Sequence, residues 1–149
     1  MSKDKSVTED LIETLEDGKE GFAKGADKLD ESNAPALAMT FRRLSDQRDR
    51  FAKELQDLAT AYGDEVDDSG TITASIHRGW MSLKDALSGS DPDGVLDVAE
   101  QGEDHAKKKY ENALQEDISP GLRAVVQRQY ADVQAAHDEV RSMRDASKR

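Results

Sequence analysis

The sequence predicts an all-α fold: four long helices in a bundle, with a short fifth helix inside one long connection. Three observations predict it. Apolar residues recur at steps of three and four through most of the chain, the stripe of amphipathic helices. Aromatic residues make up only 5% while charged residues make up 36%, which suits charge-covered helices better than strands rich in aromatic and β-branched residues. Prolines number three, and each stands where a helix is expected to begin. The 149 residues are expected to form one domain over 1–149, long enough to bury a single core.

In the first segment Leu11, Leu15, Gly18, Phe22, Gly25 and Leu29 set the stripe, and Ser6 with Glu9 suggests a capping box. This predicts a helix over about 8–31. Asn33 to Pro35 breaks it, with proline suited to the first helical position. Leu37, Phe41, Leu44, Phe51, Leu55, Leu58 and Tyr62 then predict a second helix over about 35–62. So short a break makes the two an antiparallel hairpin.

Gly63 to Gly70 reads as a polar, acidic loop, after which Ile72, Ile76, Trp80, Leu83 and Leu87 mark a shorter helix over about 71–88. The run SGSDPDG ends it. Leu96, Ala99, Ala106, Tyr110 and Ala113 carry a helix over about 92–116. Ile118, Ser119 and Pro120 open the last, over about 119–146, with Leu122, Val126, Val133, Ala136, Val140 and Met143 facing inward. Two hairpins joined by one long crossover form a ferritin-like four-helix bundle, as distinct from a simple up-down one. A five-helix array obeying the same packing rules is the alternative.

Three stripes are interrupted near mid-helix. Between Leu44 and Phe51 stands Arg48, between Ala99 and Ala106 stands Glu103, and between Val126 and Val133 stands Gln129. Gly18 holds the comparable height on the first helix. A buried arginine requires a carboxylate, because an unpaired charge in a low-dielectric core costs several kcal/mol, and Glu103 is the acid the stripes place at that height. The expectation is a structural polar layer: Arg48 paired with Glu103, supported by Gln129 and admitted by Gly18. Such a layer fixes which helix faces which.

Four segments carry a family resemblance: LIETLEDGKEGF at 11–22, QRDRFAKEL at 47–55, HRGW at 77–80 with the following LKDALSG, and GEDHAKKKYENAL at 102–114. Over roughly residues 8–145 the chain resembles a bacterial ferritin-like four-helix-bundle family classed as a domain of unknown function. The resemblance implies a ferritin-like fold, a bacterial and cytoplasmic setting and looser kinship to stress-induced bundle proteins. It implies no established activity. Ferritin-like carboxylate sites use a Glu from each of two helices and Glu-x-x-His from each of the other two. Here Arg48 and Phe51 stand where the second helix would supply acid and histidine, and Gln134 with His137 is the nearest match on the last. Glu13 or Glu20, Glu103 and His137 remain as an alternative metal set, too few for two ions.

His77, His105 and His137 lie on separate helices without ligand spacing, so no cofactor or metal is expected. His77, beside Arg78 and Trp80, reads as part of the anchor of the crossover helix, with the indole its largest apolar contact. Asp64 to Asp68 lacks the pattern of a calcium loop, Lys107 to Lys109 read as a solvated helix face, and no phosphate-binding, nucleophile-elbow or zinc-protease motif occurs. No catalytic residues and no enzyme activity are expected. Cysteine is absent, which removes disulfides and thiolate chemistry. The net charge of −11 repels nucleic acid, and no apolar run is long enough for a membrane span. The expectation is a cytoplasmic, non-enzymatic bundle acting through its surface or as a homodimer, with Ile12, Met39, Met81 and Val98 offered as an association strip. A ligand pocket beside Gly18 and Gly21 is left open.

Overall fold

The computed structural model describes residues 3–63, 80 and 92–147. Helix α1 spans Asp4–Glu31, α2 Pro35–Ala61, α3 Pro92–Leu114 and α4 Pro120–Ser147. No strand occurs among the described residues. The short helix expected over 71–88 and the loop at 63–70 fall outside the described residues, apart from Gly63 and Trp80.

Helix α1 begins four residues earlier than its stripe suggested, because the Lys3 carbonyl already accepts the Val7 N–H at 2.9 Å and Val7 and Thr8 face the core. The Ser6–Glu9 capping box is therefore not formed. Ser6 lies inside the helix, and its hydroxyl donates back to the Lys3 carbonyl. At the other end Asn33 adopts a left-handed φ of 60°. Its N–H reaches Asp30 at 3.1 Å and that of Ala34 reaches Leu29 at 2.8 Å, a Schellman termination that turns the chain directly into Pro35. Gly63, at φ 86°, terminates α2 in a similar way by bonding the Thr60 carbonyl. Between α3 and α4 the Arg123 guanidinium caps the Leu114 and Glu116 carbonyls at 2.7 and 2.9 Å. Ser119 precedes Pro120, and its hydroxyl accepts the Leu122 N–H.

Cross-helix pairs give the topology. Lys109 meets Asp10 while Val95 lies beside Gly25, so α1 and α3 are antiparallel. Asp49 meets Lys19 while Phe41 lies beside Gly25, so α1 and α2 are antiparallel. Arg43–Glu139 and Arg128–Glu54 do the same for α2 and α4. Neighbours around the bundle are α2, α1, α3 and α4 in turn, with α1–α2 the broadest contact and α2–α4 the narrowest. Helices α2 and α3 are thus parallel and diagonally opposed. The chain leaves α2 at one end of the bundle and enters α3 at the other, so residues 62–91 link opposite ends.

The core has two apolar halves. One gathers Leu11, Leu15, Phe51, Leu55, Tyr110, Leu122 and Val126; the other gathers Phe22, Leu29, Phe41, Leu44, Trp80, Leu96 and Val140. Between them lie charged and polar side chains.

Candidate functional site: a buried polar layer

Arg48 projects from α2 into the boundary between the two core halves, and Glu103 projects from α3 to meet it across the diagonal. Nη1 donates to Glu103 Oε1 at 2.7 Å and Nη2 to Oε2 at 2.6 Å, a bidentate fork in which each side chain is 1% exposed. Nε donates to Gln47 Oε1 at 3.2 Å, and the guanidinium carbon lies 5.4 Å from the centre of the Phe22 ring. Both carboxylate oxygens and all three guanidinium nitrogens are thereby occupied, as burial of a charge requires.

Gly18 lies against the Arg48 stem. A Cβ placed there would meet Nη1 at 3.5 Å and Cγ at 3.6 Å, which is ordinary contact. The glycine leaves room for the arginine, but a methyl group would also fit.

Gln129 does not support the ion pair. Its Oε1 accepts the Tyr110 hydroxyl at 2.7 Å, while Nε2 donates to the Phe51 carbonyl at 3.3 Å and Glu54 Oε1 at 2.8 Å. These partners place it one to two turns from Arg48 and Glu103, so the four expected residues do not share one cross-section. Midpoints misled because Glu103 stands at the level of the Asp104–His137 contact, about two turns along α4 from Gln129, which itself lies a turn short of the centre of α4. The polar layer is two nodes, and the second includes Tyr110, whose hydroxyl burial pushes above its ordinary ionisation range. Tyr110 stood in the stripe as an apolar residue; a buried phenol needs a partner, which is the signal that it belongs here.

The alternative metal residues are dispersed. Glu20 is exposed and pairs with Lys24 at 3.3 Å, Glu13 is half-buried on α1, and Glu103 is held by Arg48. His137 is buried between carboxylates, with Nε2 2.5 Å from Asp104 and Nδ1 3.3 Å from Asp138. Gln134 is exposed, His77 lies outside the described residues, and His105 sits partly exposed on α3. Among the described residues no group of three or more His, Asp or Glu is arranged around a metal position. The residues do not fit the two-metal centre of a ferritin-like bundle, since a guanidinium stands where a cation would need carboxylates.

Two further features were not foreseen. On the α3–α4 seam the nearly buried Glu100 accepts from Arg141 at 3.0 Å and from Arg144, clamping the ends of the second hairpin. At the α1–α3 seam Trp80 fills the space beside Gly21. The association strip is likewise broken: Ile12 and Val98 are core residues at 1% and 4% exposure, Met81 lies outside the described residues, and Met39 is exposed at 72%.

Among the described residues, fold and site together define four helices without strands whose centre is closed by a diagonal ion pair. The chain belongs to a family described as a domain of unknown function, DUF2383, whose model matches residues 6–116. That match takes in α1, α2 and α3 and stops before α4, short of the span over which the resemblance was drawn. No curated protein matches the chain. No helix among the described residues is long and apolar enough to cross a membrane.

Proposed function

We propose that this chain is a non-enzymatic, ferritin-like bundle whose central metal chemistry has been replaced by an internal ion pair, and which acts on protein partners through its charged helix faces. One observation carries the reading: both oxygens of Glu103, the acid that reaches the bundle centre, are committed to the Arg48 guanidinium. A cation entering there would have to displace a bidentate, desolvated partner and then share the cavity with its charge. The parallel diagonal pair α2 and α3, with a connection linking opposite ends, supports the ferritin-like part of the proposal. Burial of Ile12 and Val98 favours charged surfaces over an apolar dimer strip. The bacterial, cytoplasmic and stress-related setting belongs to the same proposal and rests on the sequence resemblance.

The test is metal content by mass spectrometry after anaerobic incubation with ferrous iron and desalting, with wild type beside Arg48→Glu. Wild type is expected to retain no stoichiometric iron. Two retained equivalents would overturn the reading and place the protein with the metal-binding bundles.

A further inference from the structure

Trp80 belongs to none of the four helices, yet its side chain is among the buried ones. The ring lies in the seam between α1 and α3. A Cβ on Gly21 would overlap ring atom Cδ2 and stand 2.6 Å from Cε3; one on Gly102 would overlap Cε2 and stand 2.5 Å from Nε1. Both walls of the gap are therefore bare helix backbone. Phe22 closes the inner end, meeting the indole edge-to-face at 4.9 Å and 71°.

The spacing of these walls is set by contacts that do not involve the indole. Lys109 bonds Asp10 toward one end of the seam, at 3.2 Å. Val95 and Phe41 pack against Gly25 toward the other. Arg48 ties α2 to Glu103, the residue next to Gly102. Removing an ordinary core side chain lets neighbours relax into the space. Here neither facing glycine has a side chain to move, and the pinned helices hold the backbones apart.

We infer that the α1–α3 seam carries a preformed slot for a flat, indole-sized aryl group, filled in cis by Trp80 and able to take the same group in trans once Trp80 is removed. The slot is one ring thick, with glycine on both faces and the Phe22 ring at its floor, so it selects planar aryl groups over aliphatic groups of similar volume.

The test uses the full chain carrying Trp80→Ala and free indole as the probe. At indole about 100-fold above its Kd, mass action is expected to raise the Tm of this variant by roughly 5–10 °C. Cyclohexanol is expected to leave Tm unchanged, as is indole added to wild type, whose slot is occupied. Adding Gly102→Ala to Trp80→Ala places a methyl group in the slot and is expected to weaken indole binding at least tenfold. If Trp80→Ala alone is unfolded, indole is expected to restore its helical circular dichroism. A folded variant that shows no response to indole, an unfolded one that indole does not restore, or an undiminished response in the Gly102→Ala background would each overturn the proposal.

Discussion

Replacing Arg48 by alanine removes both donors from Glu103 and leaves a carboxylate, 1% exposed, facing a cavity of its former partner's size. The two bonds lost, at 2.7 and 2.6 Å, are charge-assisted and desolvated, and breaking such a pair from one side costs about 3–5 kcal/mol. Domains of this size hold about 5–15 kcal/mol in total, so the loss takes a large part of the stability. Removing both charges together is a different perturbation. Arg48→Met with Glu103→Leu keeps apolar volume in the centre and is expected to be neutral or to stabilise by about 1–4 kcal/mol. Urea unfolding of wild type, Arg48→Ala, Glu103→Leu, Arg48→Ala/Glu103→Leu and Arg48→Met/Glu103→Leu, followed at 222 nm, gives the coupling energy from the alanine cycle provided the transitions stay two-state with a common slope. A loss below about 1 kcal/mol for Arg48→Ala, or an Arg48→Met/Glu103→Leu protein as unstable as the single variants, would refute the reasoning.

Other substitutions test neighbouring claims. Gly18→Ala is expected to stabilise by up to about 1 kcal/mol through helix propensity, whereas Gly102→Ala is expected to destabilise because the new methyl group overlaps the Trp80 ring; thermal melts give both signs. Trp80→Ala is expected to cost about 3–5 kcal/mol in urea unfolding. Since Trp80 is the only tryptophan, a blue-shifted wild-type fluorescence that moves red at the unfolding midpoint reports its seat directly. Tyr110 has a folded-state pKa raised above its unfolded value of 10.0, so its contribution is full below pH 10 and is lost as pH climbs toward the folded value. Alkaline titration at 295 nm is therefore expected to show one of the three tyrosines ionising only with unfolding, and a smooth early titration of all three would contradict its burial.

The helices were legible because a period of 3.6 is written into the stripes, and their prolines mark three of the starts within a residue or two. The start of α1 was not, since the backbone bond from Val7 to Lys3 needs no capping side chain to announce it. Arg48 and Glu103 could be paired from sequence because a charge on an apolar stripe demands its opposite. Gln129 could not be placed, because the height of a residue in a bundle depends on where the turns leave each helix, and the turn at 115–119 carries α4 past the level that midpoint counting assumes. The indole slot was hidden for a different reason. It is made by Gly21 and Gly102, far apart in the chain, and a glycine in a stripe looks the same whether it admits an arginine stem, as Gly18 does, or an aromatic ring.

The diagonal pair also constrains how this sequence can change over generations. A codon change at Arg48 or Glu103 alone strands a buried charge, while the apolar double replacement is expected to fold as well as the original. Neutral drift between those two states must cross an unstable intermediate, so the two positions should be inherited together: charged in both places, or apolar in both.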